Sequence, residues 1–369
     1  MVEKSEYRKF MKIALSLAAK GKGLTSPNPM VGAAIVKKEK IVGSGFHSKA
    51  GTPHAEIIAL ENAGEKAKGS TLFINLEPCV HFGKTPPCCE EVIKSGIRKV
   101  IVAMKDPNPL VDGSGIKKLK NYGIEVVLGI MEKEARELNE AFIKSIKTKT
   151  PFVIMKSAMS LDGRIATRSG KSKWITGKES RRYVQELRAK VDGIMVGIGT
   201  VLKDNPRLTL RTGKIKRTLP AKIVIDSSLK IPIKAKLFSS EPTTKVIIAA
   251  TNKASRKKIE SLRKTGIDII QTEANKGKGN LKKLTRELYK KGIMTILLEG
   301  GSELNASAIR EGIVDKVFYF YAPILIGGSD AKGMMGGDGV DTIQDAKKID
   351  IKEVKRIGKD LLVIGYIRK

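Results

Sequence analysis

Short apolar runs rich in β-branched residues, each followed by an amphipathic stretch, recur along this chain, and this alternation constrains the fold more than any other feature. Thr71–Leu76 and Lys99–Met104 are apolar on both faces, as strands covered by helices on both sides must be. Between them Pro87–Ser95 has helical spacing and is closed by Gly96. Strand, crossover helix and parallel strand make the unit of an α/β domain. Upstream, Tyr7, Phe10, Met11, Ala14, Leu15 and Ala18 share one face of a helix over residues 5–20. Gly32–Lys37 and Lys40–Phe46 read as a hairpin, and Pro53 opens a helix running through Ala63. A further helix and strand lead to a charged helix over Glu132–Lys147.

Residues Lys147–Pro151 carry no apolar periodicity and end in proline, which places a boundary there and gives domains 1–149 and 150–369. Two domains also suit 369 residues at about 150 per domain. In the second half the strand candidates are Phe152–Ala158, Gly193–Val196, Lys222–Ile225, Lys245–Ala249, Thr295–Leu298, Lys316–Tyr321 and Leu361–Ile367, with helical stretches such as Glu179–Lys190 between them.

No apolar run approaches the roughly 20 residues that cross a bilayer, and Met1–Phe10 lacks the apolar core of a secretion signal, so a cytoplasmic protein without a membrane partner is expected. The formal charge of +32 invites a nucleic-acid reading, but the lysines are spread over the whole chain and only one Trp is present to stack on bases. A solvated basic surface that steers phosphate-bearing small molecules fits better. The three cysteines, Cys79, Cys88 and Cys89, are too few and too local for a disulfide framework.

Metal binding accounts for them. His54 and Glu56 stand at a helix start, Cys79 at the end of a strand, and Cys88 at the start of the next helix. One imidazole and two thiolates suit a tetrahedral zinc with its fourth position open to water. Zinc lowers the pKa of bound water to about 7, which brings a hydroxide nucleophile within reach of neutral pH. Glu56, two residues beyond His54, is then the catalytic proton carrier from water to a leaving amine. A closed structural site with Cys89 as fourth ligand is the competing arrangement, disfavoured because adjacent residues on one helix point in different directions.

His-x-Glu followed by Pro-Cys and a further Cys resembles the zinc nucleobase deaminases. Eight residues separate Cys79 from Cys88 here, instead of the two typical of deaminases acting on tRNA or free cytosine. The whole segment Glu77–Cys88, with Asn28–Gly32 upstream and Asp106–Pro109 downstream, closely resembles the deaminase half of the bifunctional riboflavin-biosynthesis deaminase-reductases. That resemblance implies a cytidine-deaminase-like three-layer α/β domain. It also implies that Asn28 and His47 contact substrate, and that His81, Lys84, Asp106 and Asn108 line the pyrimidine and phosphoribosyl site.

In the second half nothing matches Gly-x-Gly-x-x-Gly in its required setting, which disfavours a Rossmann domain. Leu298–Asn305 instead reads as a strand ending in two glycines that start a helix, a turn where backbone N–H groups can approach a phosphate. Lys156–Ala166, Trp174–Thr176 and Gly199–Thr209 resemble the reductase half of the same family, which is similar in fold to dihydrofolate reductase and uses NADPH. The resemblance implies NADP contacts at Ala158, Trp174, Thr200, Asp204, Ser227 and the segment Gly301, Ser302, Glu303, Leu304, Asn305, Ala306 and Ser307. It implies substrate contacts at Ser172, Arg188, Leu208, Arg211 and Glu299, with Arg188 and Arg211 as phosphate-holding cations.

The function implied is hydrolytic deamination of 2,5-diamino-6-(5-phosphoribosylamino)pyrimidin-4-one, followed by NADPH reduction of the ribosyl group to ribityl. A small phosphoribosylated pyrimidine as substrate, no nucleic acid and a homo-oligomeric state go with it. The alternative is an RNA-acting zinc deaminase with a basic C-terminal binding domain.

Overall fold

The computed structural model describes residues 2–80, 87–109, 111–211, 219–239, 243–275 and 278–368. The chain divides into two compact units, Met1–Lys149 and Thr150–Lys369.

In the first unit α1 (Val2–Ala19) precedes a hairpin of β1 (Gly32–Lys37) and β2 (Lys40–Phe46). Then come α2 (Ala55–Ala63), β3 (Thr71–Leu76), α3 (Cys88–Lys94), β4 (Lys99–Met104), α4 (Ser114–Asn121), β5 (Glu125–Leu128), α5 (Glu132–Leu138) and α6 (Glu140–Thr148). The sheet order is β2-β1-β3-β4-β5, with β1 antiparallel to both neighbours and β3, β4 and β5 parallel. Side chains alternate across a strand. Leu72, Ile74, Val100 and Val102 therefore meet Ala55 and Ala59 of α2, Val92 of α3 and Leu119 of α4 on one face. Phe73, Ile101 and Ala103 meet Phe10, Met11 and Ala14 of α1 and Ala135 of α5 on the other. The result is three layers, helix on sheet on helix.

The single charged helix expected over Glu132–Lys147 is two helices. Asn139 breaks it at φ −101° and ψ 19°. Its side chain accepts from Met30 N (2.8 Å) and donates to Met30 O (3.0 Å), so two tertiary hydrogen bonds replace helix continuation there.

The second unit comprises β6 (Phe152–Ser160), α7 (Lys178–Arg188), β7 (Gly193–Gly197), α8 (Ile198–Asp204), β8 (Ala221–Ile225), α9 (Lys236–Ser239) and β9 (Val246–Thr251). It continues with α10 (Arg256–Lys264), β10 (Asp268–Thr272), the short pair β11 (Ala274–Asn275) and β12 (Lys278–Gly279), and α11 (Leu281–Lys290). It ends with β13 (Thr295–Leu298), α12 (Ser302–Arg310), β14 (Lys316–Ala322), β15 (Ile349–Ile357) and β16 (Asp360–Ile367). Its main sheet runs β10-β9-β8-β7-β13-β6-β14-β16-β15 and is parallel as far as β14; β16 and β15 add on antiparallel. Val184 and Leu187 of α7 and Ile259 and Leu262 of α10 cover one face, Leu284 and Leu288 of α11 and Leu304 and Ala308 of α12 the other.

The two strands of this sheet absent from the sequence reading, β10 and β15, are its two edges. An edge strand has one neighbour and less burial, so its apolar pattern is weaker, and β15 alternates charges along a mostly exposed face. The strand order reverses around β7, β13 and β6, and an open parallel sheet collects ligands at the carboxyl ends of its strands at such a point. Among the described residues no helix is long and apolar enough to cross a membrane.

Candidate active site

The carboxyl end of β3 and the amino ends of α2 and α3 meet at one place. His54 is the N-cap of α2, Glu56 lies in its first turn, Cys79 follows β3, and Cys88 opens α3. His54 Nδ1 lies 2.9 Å from Cys88 Sγ and 3.7 Å from Cys79 Sγ, and Cys88 N donates to Cys79 Sγ at 3.4 Å. The three ligand atoms all fall within 4.8 Å of one another. A tetrahedral zinc with 2.3 Å bonds to sulfur and 2.0–2.1 Å to nitrogen needs ligand separations of about 3.6–3.8 Å; the His54–Cys79 pair already has this spacing, the His54–Cys88 pair would have to open, and the soft donor set suits the ion.

Electrostatics fit as well. The Cys88 thiol, donating to Cys79, outweighs burial and with His54 holds Cys79 down at about 4 as a thiolate. The same sharing pushes Cys88 up, and the bond to Cys79 raises His54. Glu56 is 3% exposed, burial pushes its carboxyl up to about 7 against the pull of His54, and its Oε2 has no hydrogen-bond partner within the protein. A buried carboxyl balanced near neutrality beside the ligand cluster is equipped to gain and lose a proton.

Around this cluster His47 is buried, with its ring 5.3 Å from that of His54. Its Nδ1 donates to Pro53 O (3.2 Å), which leaves Nε2 to accept from Asn28 Nδ2 (3.0 Å). Burial lowers His47, which favours the uncharged ring, and the two hydrogen bonds select its tautomer. Asp106 and Asn108 follow β4 on the neighbouring strand end, where Asp106 Oδ1 accepts from Asn108 N at 2.8 Å. His81 and Lys84 lie outside the described residues. Glu77, buried immediately after β3, was given no role by the sequence; a carboxyl side chain directly following an apolar strand is the signal that marks it.

Cys89 turns away from the cluster. Its thiol donates to Pro78 O (3.4 Å) and Gly115 O (3.8 Å), and burial pushes it up to about 12. Cys89→Ala is expected to leave zinc stoichiometry unchanged in metal analysis while lowering stability by about 1–2 kcal/mol in a melt. Loss of zinc in that variant would make Cys89 a ligand.

In the second unit a cleft of about 710 Å³ is lined by Lys156, Trp174, Gln185, Arg188, Arg211 and Glu299 among others. Arg188 reaches across from α7 to Glu299 at the end of β13 in a bidentate pair, Nε to Oε1 at 2.6 Å and Nη2 to Oε2 at 2.8 Å. Burial works to raise the Glu299 carboxyl, but Arg188 and Lys156 overcome it and hold it at about 2. Two of the three guanidinium nitrogens of Arg188 are thus engaged by Glu299. Arg211 stays exposed, its backbone N donating to Gln185 Oε1 (3.1 Å).

Lys156, on β6, belongs to the same group; burial lowers its ammonium and Glu299 opposes that. It was not assigned from the sequence, although a lysine inside an apolar strand was the available signal. Trp174 is 65% exposed with Arg181 stacked 4.5 Å from its ring centre. Ser172 is half-buried nearby in sequence, whereas Leu208 packs into the core with Val184 and Leu187.

Apart from Trp174, which lines the cleft above, the expected NADP contacts follow carboxyl strand ends. Ala158 is near the end of β6, Thr200 and Asp204 are on α8 after β7, Ser227 follows β8, and Gly301–Ser307 starts α12 after β13. Gly301 is the N-cap of α12 and carries no capping side chain. A Cβ on Gly199 would meet nothing within 4 Å, and one on Gly301 only Thr200 Oγ1 at 4.0 Å. The space beside Gly199 and Gly301 is thus open at a helix start of the kind that receives phosphates, and the buried Asn305 Oδ1 nearby is unsatisfied within the protein. These residues fit a dinucleotide.

Helix α7, which carries Arg188, also starts on a glycine, Gly177. Asp360, fully buried at the start of β16, caps it by accepting from Gly177 N (2.7 Å) and Ser180 Oγ (2.5 Å). Asp360→Ala is expected to cost about 1–2 kcal/mol in denaturant unfolding. An unchanged midpoint would contradict the cap.

Comparison with known proteins bears on the whole chain. Residues 151–363 match the model of the RibD C-terminal domain, and residues 4–104 match the cytidine and deoxycytidylate deaminase zinc-binding region. The riboflavin biosynthesis protein RibD of Aquifex aeolicus is 44% identical over 357 residues, 96% of this chain and 97% of that protein. Its counterpart in Escherichia coli is 40% identical over 363 residues, 95% and 97% respectively. The crystal structure of a diaminohydroxyphosphoribosylaminopyrimidine deaminase/5-amino-6-(5-phosphoribosylamino)uracil reductase from Thermotoga maritima is 36% identical, with a TM-score of 0.86 over 99% of this chain and 100% of that one.

Proposed function

This chain belongs to the RibD family of bifunctional deaminase-reductases of riboflavin biosynthesis, and on that premise we propose how its residues divide the two reactions. The first unit is a zinc-dependent deaminase of cytidine-deaminase-like fold, the second a dihydrofolate-reductase-like reductase using NADPH. The RNA-acting alternative has no support: the basic second half is a RibD C-terminal domain, not an RNA-binding appendage.

The deaminase substrate is 2,5-diamino-6-(5-phosphoribosylamino)pyrimidin-4-one. His54, Cys79 and Cys88 hold zinc, which when bound supplies Lewis acidity that brings water ionisation near neutral pH. Water adds at the carbon bearing the amino group, the C–N bond breaks, and ammonia leaves. Glu56 takes the proton from water and returns it to the departing nitrogen. Asn28 and His47 orient the ring, and His81, Lys84, Asp106 and Asn108 hold the pyrimidine and its phosphoribosyl arm. The observation that carries this reading is the convergence of His54, Cys79 and Cys88 beside the buried Glu56 carboxyl, whose Oε2 has no partner within the protein.

The product, 5-amino-6-(5-phosphoribosylamino)uracil, is the substrate of the second unit. Its ribosyl group becomes ribityl by hydride from NADPH to carbon and a proton to the neighbouring heteroatom. Lys156, close enough to Glu299 and Arg188 to feel both charges, supplies that proton. Arg188 and Glu299 shape the cleft around the sugar, and Ser172, Leu208 and Arg211 form its rim, Arg211 facing the phosphate. Ala158, Trp174, Thr200, Asp204, Ser227 and Gly301–Ser307 hold the dinucleotide.

The enzyme works in the cytoplasm, a reading supported by three cysteines that form no disulfide. We propose as well that it is a homo-oligomer. Sedimentation would measure the second point. Ammonia release from the diaminopyrimidine, followed with and without NADPH, tests the reaction order: release independent of NADPH supports it, and release that needs NADPH contradicts it.

A further inference from the structure

Helix α4 begins with a deficit. Its N-cap, Gly113, has no side chain to offer, and its first turn contains no acidic residue. The first N–H groups of a helix need acceptors from elsewhere. One carboxylate on a different strand provides them. Glu77, 3% exposed, accepts through Oε1 from Gly115 N (2.9 Å) and Ile116 N (3.1 Å). Through Oε2 it accepts from Gly113 N (2.9 Å) and Asp106 N (3.1 Å).

Oε2 therefore clasps both ends of the connection from β4 to α4. Inside that connection Asn108 N donates to Asp106 Oδ1, and Asn108 O accepts from Val111 N and Asp112 N at 2.8 and 3.0 Å. The contact is close: a Cβ on Gly115 would lie 2.2 Å from Pro78 O, and the Cys89 thiol spans Pro78 O and Gly115 O. A serine or aspartate at position 113 would cap α4 locally. It would not tie α4 and Asp106 to the strand that carries Cys79. The arrangement found does so with one side chain, two residues from that cysteine.

We propose that Glu77 is a positioning residue for deamination, fixing Asp106 and Asn108 against the Pro78–Cys79 strand end and so setting how tightly the first unit holds its pyrimidine. It touches neither zinc nor the transferred proton; its effect passes through the two side chains it positions. The inference rests on the placement of Asp106 and Asn108 in the substrate site proposed above.

Glu77→Gln is the sharpest probe, because it keeps the size of the side chain but turns an NH₂ group against two N–H donors. The full-length variant is expected to keep its zinc in metal analysis and to show a deaminase KM for the diaminopyrimidine about tenfold higher, with kcat within about threefold of the parent. Glu77→Asp, which keeps the charge on a shorter arm, should recover part of the loss. Reduction of separately supplied deaminated substrate, in the same preparation, should be unaffected. An unchanged KM overturns the proposal, as does zinc loss with KM and kcat failing together, which would make Glu77 a support of the metal site alone. Should Glu77→Gln fail to fold, Glu77→Asp decides by the same readouts. Ammonia release by the parent protein, measured alongside, separates a failure of this inference from a failure of the deaminase reading.

Discussion

Glu56→Gln is expected to lower ammonia release from the diaminopyrimidine by a factor of about 10²–10⁴, the range a positioned general acid–base contributes, with zinc still bound. Glutamine fills the same buried space but cannot exchange the proton that the Glu56 carboxyl, balanced at about 7, can both take and give. His54, Cys79 and Cys88 make direct contacts with one another, and Glu56 adds a hydrogen bond to Cys88 that an isosteric glutamine can keep. Ammonia assay and metal analysis on one preparation therefore separate the two roles. Full turnover in this variant would remove Glu56 from the mechanism. Loss of zinc with activity would move it into the ligand shell. Reduction of the deaminated substrate should continue, because the reductase residues lie in the other unit.

The second large effect is expected at Glu299. Glu299→Gln leaves the Arg188 guanidinium largely buried without its carboxylate, a loss that costs about 3–5 kcal/mol when a buried pair is broken from one side. For a protein of this size that corresponds to a fall of roughly 10 °C in Tm. Reduction should stop, since Lys156 also loses its charged neighbour. The pH dependence follows from the depressed carboxyl. With a folded value of about 2 against 4.5 in the unfolded chain, Glu299 contributes stability on the order of 3 kcal/mol above pH 4.5, lost as pH falls through 2. Acid unfolding of the parent should show that loss, and Glu299→Gln should not. A double variant, Arg188→Met with Glu299→Met, should regain much of the stability without regaining reduction, because an apolar pair can replace a buried ion pair in the fold but not in the chemistry. A double variant that still reduces substrate would show the pair to be scaffolding.

The sequence was most informative where burial is two-sided. β3 and β4 are apolar on both faces because helices cover both, and their limits are those expected from the pattern. It was least informative at the sheet edges β10 and β15, and at Asn139, where a tertiary bond to Met30 decides the break. The metal cluster was legible because its residue types are few and their placement at strand and helix ends is local. Glu77 and Asp360 were not legible as caps. Each satisfies a helix that starts on a glycine far away in the chain, 36 positions for Glu77 and Gly113 and 183 for Asp360 and Gly177, and no local pattern encodes such a partner. The Arg188–Glu299 pair, 111 residues apart, was hidden for the same reason, although both residues were expected at the substrate site.

The central claim, that one chain performs a zinc-dependent hydrolysis and then an independent hydride transfer, is tested most directly by chelation. Zinc-stripped protein, supplied with the diaminopyrimidine and NADPH, should release no ammonia and oxidise no NADPH, and supplied with the deaminated product it should oxidise NADPH at the parent rate. Steady NADPH oxidation from the diaminopyrimidine by the stripped protein, or ammonia release without zinc, would contradict it.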